Sequence, residues 1–565
     1  MKNKIILLLG FITMLSSCSE DFTQIAPVGS LSDEFLESEQ GVDLLLVSAY
    51  SALDGQRINA SGNEFAQTGD NWWLDVLSDD AHKGSTDGDQ ADLFAVEVYD
   101  WSTANPYILG RWSSIFSGIT RANAVIEKIA SIEGADLNAK LAEARFLRGH
   151  FNFELQRMYG NVPYISEANN AITGFNEPNP GPIWDKIEDD FNFAVTNLPE
   201  SQGAEIGRAN AWAAKAYLGK VLLQQGKTDL ALPIFTDVIE NGPYGLNPEF
   251  VANFESSGEN SNESVFTIQF TVDSGLSFNG NVGGKLNYPN PGPFGSCCGF
   301  YQPSQDLVNA FQTDAATGLP LLDTFNQTDV ANDFGLADDA AFTPHTGPLD
   351  PRLDYTVGRR GIDYNRFGTF PGQSWIRAES GDISGPYLPA KNVYQNGDVS
   401  ANQGTGPWGQ QHSGINYHII RFADVLLMGA EAAAEEGALA PALAWVNLVR
   451  NRAKNMSWVQ NEDGTAPAAN YVIEPYVSFD DPATAIKAVR HERRLELGME
   501  GHRLFDLRRW GNAPEIISEY VINETRTIPT FASKVKTYEA KNDLLPIPQA
   551  AIDLSENILS QNAGF

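Results

Sequence analysis

The sequence predicts a mainly α protein: a scaffold of repeated helix pairs that carries one large, loop-rich insertion with a few short strands. Three observations predict this. Two segments far apart in the chain place small and apolar residues at the same offsets. Between them runs a stretch rich in Gly, Pro, Asn and aromatic residues, with little helical period. Beyond it the helical period returns.

The repeated segments are Trp212 to Pro243 and Phe422 to Ala453. Counted from Gly219 and from Ala430, each has Gly at +7 (Gly226, Gly437), Ala at +12 (Ala231, Ala442) and apolar residues at +16 and +19 (Phe235 and Val238; Val446 and Val449). Small residues where two helices cross closely make the tetratricopeptide pattern. Gly226 and Gly437 fall at the turn between the helices, where glycine relieves the backbone. Further helices are predicted upstream. Ile119, Ala122, Ile126 and Ile129 keep helical spacing, as do the apolar residues of Leu141 to Tyr159.

The insertion spans 247–417. Within it, Ser264 to Phe270 alternates as a strand does, and Ser304 to Phe311 is a short helical piece. Its aromatic content argues against disorder. After it, Asp481 and Pro482 form an N-cap followed by proline at the first helical position. Ile486, Val489, Arg490, Arg493 and Leu497 follow on one stripe. Arginines on an otherwise apolar stripe predict buried ion pairs, with Glu492, Glu496 and Asp506 as partners. The expected organisation is a leader over 1–17 and one domain over 18–565. That domain has a helical part (18–246), the insertion (247–417) and a second helical part with a tail (418–565).

The leader reading rests on Lys2 and Lys4, the apolar run Ile5 to Leu15, and Ser16-Ser17 before Cys18. A basic start, a short apolar run and small residues before a cut make a secretory signal. The run is too short to span a bilayer. Cys18 in that place resembles the acylated cysteine of a bacterial lipobox, which anchors a chain to a membrane without crossing it. The formal net charge of −34 disfavours nucleic acid, which needs clustered Lys and Arg. The other two of the three cysteines, Cys297 and Cys298, are adjacent. They are too few for a zinc site, and the sequence leaves open whether they are bonded.

Five segments resemble the SusD/RagB family. They are Glu143 to His150 with Tyr159-Gly160-Asn161-Val162-Pro163; Pro303 to Phe311; Arg421 to Ala432; Arg490 to Leu497 with Gly501 to Gly511; and Leu545-Pro546-Ile547-Pro548 with Gln561 to Phe565. They occur in family order and cover essentially the mature chain. Ala551, Ser555 and the Ala-Gly-Phe end depart mildly from the usual tail. The resemblance implies a helical body of four tetratricopeptide-like units with a loop-rich ligand face. It implies a lipid-anchored protein on the outer face of the outer membrane that caps a TonB-dependent, SusC-like transporter and captures oligosaccharides or, in some members, peptides. Ser19-Glu20-Asp21 resembles the acidic tag that sends such lipoproteins to the surface.

A sugar binder needs aromatic platforms with polar groups beside them. In the insertion the candidates are Phe300, Tyr301, Tyr364, Trp375, Tyr387 and Trp408, with Asn279, Asn281, Gln302, Arg377 and Asn392 as polar partners. A second source is Trp72, Trp73, Asp79, Asp80, Lys83 and Trp101. The resemblance brings the regions near Trp101 and Tyr301 toward ligand. Trp212, Trp445 and Trp510 sit in scaffold helices and are expected in the core. The motif charges Arg490, Glu492, Arg493, Glu496, Asp506 and Arg508 are read as architectural. No cofactor is expected. Asp87 to Asp92 offers oxygens to Ca²⁺ but lacks the full EF-hand pattern.

No catalytic residue is assigned. There is no HExxH helix, no GxSxG elbow and no intact phosphate loop. The competing readings are a peptide-binding adaptor of tetratricopeptide type and a glycoside hydrolase, whose paired carboxyls a sequence does not reveal.

Overall fold

The computed structural model describes residues 33–55, 61–134, 136–169, 177–272, 279–295, 297–378, 381–391, 393–406 and 408–565. The leader over 1–17, Cys18 and Asn392 lie outside them. Among the described residues, no helix is long and apolar enough to cross a membrane.

Six long helices build the first half of the described residues: α1 (Glu39–Ser51), α2 (Pro106–Ser131), α3 (Asn138–Tyr159), α4 (Trp184–Asn197), α5 (Ala211–Gln224) and α6 (Thr228–Asn241). Their starts are written locally. The Asn105 side chain accepts from the Tyr107 N–H ahead of Pro106, and the Asn210 side chain accepts from the Ala213 N–H. Such caps satisfy amides that have no partner inside the helix. Each of these helices packs on the next. Small residues set the approach: a Cβ on Gly118 would stand 2.4 Å from the Phe151 ring, and one on Gly219 would stand 2.7 Å from Phe235.

The second half contains α7 (Phe422–Glu435), α8 (Leu439–Asn455), α9 (Pro482–Leu497), α10 (Arg503–Trp510) and α11 (Ala513–Glu524). The two repeats that the sequence separates are neighbours in space, because α6 packs on α7, and α7 on both α8 and α9. Gly226 and Gly437 both adopt φ of +72° between their helices, as predicted. Asp481 caps α9 by accepting from the Thr484 N–H. Stacked helix pairs of this kind bury a continuous core, and apolar residues from both halves share one cluster. Trp445 is buried in it. Trp212 and Trp510 are only half-buried against it, each at the edge of the core with a side chain of the surface layer over its ring, Lys215 at 4.2 Å and Arg490 at 4.7 Å.

The strands are short: β1 (Ala81–Gly84), β2 (Ser264–Ile268), β3 (Phe300–Pro303), β4 (Val357–Gly358), β5 (Leu388–Pro389), β6 (Gln403–Thr405), β7 (Gln411–Ser413) and β8 (Tyr417–Arg421). They form antiparallel pairs β1–β3, β2–β8, β4–β5 and β6–β7. The insertion therefore leaves and rejoins the scaffold on one strand pair, with Ser264 opposite Arg421 and Ile268 opposite Tyr417. It also has its own small core of Tyr288, Phe294, Tyr364, Phe370 and Tyr394.

Buried charge joins the insertion to the scaffold. Arg421 bonds Glu263 at 2.9 Å, Glu496 at 2.5 Å and Glu500 at 2.8 Å. Arg352, from the insertion, bonds Asp350, Glu492 and Glu496. Lys391 bonds Glu500 at 2.7 Å. Burial alone would raise the Glu500 carboxyl, but Arg421 and Lys391 hold it down at about 2. The predicted motif charges are all engaged. Arg493 joins Asp424 and Asp506, Arg490 meets Glu431 and Glu435, Glu492 meets Arg450, and Arg508 donates to the Asn542 carbonyl.

Candidate functional site

Six of the nine predicted ligand contacts have no surface to offer: Asp80, Lys83, Phe300, Tyr301, Tyr364 and Tyr387 are all buried. Their positions correct the expectation, because each side chain is spent on internal bonds: Tyr364 and Tyr387 within the insertion, Tyr301 between insertion and scaffold, Asp80 on a scaffold arginine and Lys83 on its own turn. The Lys83 ammonium, in β1, donates to the carbonyls of Gly84, Thr86 and Asp89 at 2.7–2.9 Å and stands 4.9 Å over the Phe300 ring. Burial lowers its pKa to about 8. Tyr301 donates to Asp75 at 2.6 Å and meets the Trp72 ring edge-on. Tyr364 donates to the Pro389 carbonyl at 2.6 Å, and Tyr387 to Gln305 at 2.8 Å. Asp80 accepts from Arg494, which also bonds Asp79 and Asp306. Burial would raise Asp79, yet Arg494 and Arg503 hold it at about 2.

Three candidates keep exposed surface. Trp408, two residues before Gln410 in the β6–β7 hairpin, is 66% exposed. Trp375 is half-buried at the rim of the insertion's small core, 5.7 Å from Phe370 and 6.1 Å from Tyr364. Gly292 lies close enough that a Cβ there would sit 3.7 Å from the indole. The hairpin joins the same core, since Gln411 donates to the Phe294 carbonyl. Trp101 is half-buried beside Tyr99, far along the chain from both.

The polar candidates have partners of their own. Arg377 pairs with Asp89 at 2.7 Å and donates to the Cys298 carbonyl. Cys297 and Cys298 are joined as a disulfide between neighbours. Asn281 and Gln302 are buried: Asn281 donates to Asp70, and Gln302 accepts from Ser384 and Gly385. The acidic turn that offered oxygens to Ca²⁺ has other partners. Asp87 accepts from Lys534 and the Ile383 N–H, and Asp89 is held by Arg377 and Ser85. Among the described residues, no cluster of three metal-ligating side chains is formed.

The loop layer thus presents two indoles with exposed surface, and Arg377, paired with Asp89, lies two residues beyond one of them in the chain. Indole faces stack on apolar C–H surfaces while neighbouring polar groups bond hydroxyls.

Comparison with known proteins places the chain as a whole. A family model described as the SusD family matches residues 262–565, and one described as starch-binding associating with outer membrane matches 22–223. A SusD-like protein of Bacteroides ovatus is 24% identical over 567 aligned positions, covering 94% of this chain and 87% of its own. Among solved structures, a laminarin-binding SusD-like protein superposes with a TM-score of 0.67 at 24% identity, over 94% of this chain and 100% of that one. Surface glycan-binding protein A from Bacteroides fluxus gives 0.66 at 22% identity, over 94% and 100%.

Proposed function

Because the chain belongs to the SusD family, we propose that it is a non-enzymatic, cell-surface glycan binder, lipid-anchored through Cys18, that hands oligosaccharide to a TonB-dependent, SusC-like transporter. The observation that carries this reading is the family match, which with the second model reaches from residue 22 to residue 565. Its site is the loop layer around Trp375 and Trp408, the insertion indoles with surface to offer. A net charge of −34 favours a neutral polysaccharide over a sulfated or uronic one. Ligand is held by a few stacked rings, so affinity for one chain is modest.

Native affinity electrophoresis tests this. Protein lacking residues 1–18 is run through gels holding laminarin, starch, xylan, mannan or alginate. Retardation by a neutral polysaccharide is expected, with laminarin the first probe because a solved relative is named for binding it. Trp408→Ala or Trp375→Ala should weaken it about 3- to 10-fold, the scale of roughly one stacking contact. Retardation by none of the gels, together with binding of peptides, would sink the glycan reading. Reducing ends released from a retarding polysaccharide would overturn the non-enzymatic part.

A further inference from the structure

We infer that the cleft between the insertion turn at 363–369 and the segment 458–462 is a second saccharide site, a reading that rests on the chain being a glycan binder. The cleft encloses about 380 Å³ and is lined by Tyr355, Asp363, Arg366, Gln395, Trp458 and Gln460, among others. Neither Trp375 nor Trp408 lines it. Its size is at the small end of ligand pockets, room for about two sugar rings rather than a long chain.

Two aromatic walls are fixed in place. The Trp458 indole N–H donates to the Ala453 carbonyl at 3.2 Å, and the ring meets Tyr471 edge-on at 5.7 Å. The Tyr355 hydroxyl donates to the Ser457 carbonyl at 2.8 Å, tying one wall to the segment that carries the other. Both rings are half-buried, so each keeps surface on the cleft. Around them stand amides, a carboxylate and a guanidinium, which supply the donors and acceptors that hydroxyls need.

The turn is also held in a costly shape. Asn365 and Arg366 both have positive φ, 49° and 64°, a region that non-glycine residues rarely enter. The surroundings over-determine it. The Asn365 amide donates to the carbonyls of Ala390, Val393 and Tyr394, and Asp363 accepts from the Arg366 and Gly368 N–H groups. The outcome is to set Arg366 at the cleft mouth, where it bonds Glu255 at 2.6 Å and stays 57% exposed. Strain maintained this firmly belongs where a side chain must be aimed. The charge selects the ligand. Asp354 is neutralised by Arg359 and Arg366 is paired with Glu255, which leaves Asp363 and Glu462 as the cleft's net charge. That balance repels uronic and sulfated sugars and admits a neutral one.

Isothermal titration of the same protein with laminari-, malto-, xylo- and mannohexaose tests the cleft. Two classes of site are expected for one of them. Trp458→Ala should remove one class and leave polysaccharide retardation in the gel, while Trp375→Ala with Trp408→Ala should do the reverse. Arg366→Gly guards against simple misfolding: it relieves the turn and should raise the melting temperature while weakening the second class at least 3-fold. Binding unchanged in both Trp458→Ala and Arg366→Gly overturns the cleft alone. A wild-type protein that binds none of the hexaoses and no polysaccharide overturns the cleft together with the glycan reading.

Discussion

His82 has no exposed surface and lies between two carboxylates, with Nδ1 3.0 Å from Glu97 and Nε2 2.8 Å from Glu524. Burial would lower its pKa, but the two carboxylates outweigh it and raise the imidazole to about 9. The folded value is above the unfolded one of about 6.5. The stabilisation is therefore complete below about pH 6.5 and is lost as pH rises through about 9. His82→Gln should lower the melting temperature at pH 6, and the gap from wild type should narrow by pH 10. An equal gap at both pH values would refute the ionised bridge. At this scale the sequence told little. The residue types for stacking were visible, but burial was not: Tyr301 and Trp408 look alike in the chain, and one is sealed against Trp72 while the other stands on a hairpin. Trp458 carries no signal of its own in the chain. It follows the end of α8, outside the aromatic-rich stretch, and gains meaning only when Tyr355 is brought beside it.

Helices were the most legible elements, since their signals are local. Caps at Asn105, Asn210 and Asp481 and turn glycines at 226 and 437 act within a few residues of themselves. The strand pairs were not legible, because β1 meets β3 across 215 residues and only the fold decides that. The turn glycines give a clean test. Both have φ of +72°, and at either position a methyl group would have no neighbouring atom within 4 Å. Gly226→Ala and Gly437→Ala should therefore each cost about 1 kcal/mol through backbone strain alone. Gly219→Ala differs. Alanine favours the helix by about 1 kcal/mol, but its methyl would meet the wholly buried Phe235 ring, and overpacking costs roughly 1–3 kcal/mol. Urea unfolding of the three variants should show net destabilisation in all. A more stable Gly219→Ala would mean that the helices have room to separate.

Across the whole molecule, the motif charges that the sequence marks as architectural hold the halves together. Glu496 accepts from Arg352, Arg421 and Arg452, one of these from the insertion and two from the scaffold. Glu496→Gln leaves three buried guanidiniums short of a counter-charge, and breaking such a set costs about 3–5 kcal/mol. Thermal unfolding should show a large fall with glycan binding retained at low temperature. A fall no greater than that of a surface variant would show that the network rearranges freely. The strand pair β2–β8 gives this network a mechanical meaning. The layer of loops has both its roots there, side by side, and Glu263 and Arg421 at those roots are cross-linked to each other and to α9. A load on the loop layer that reaches these two adjacent strands therefore passes into buried ion pairs shared with α9, so it is borne by the helices and not by the strand pair alone.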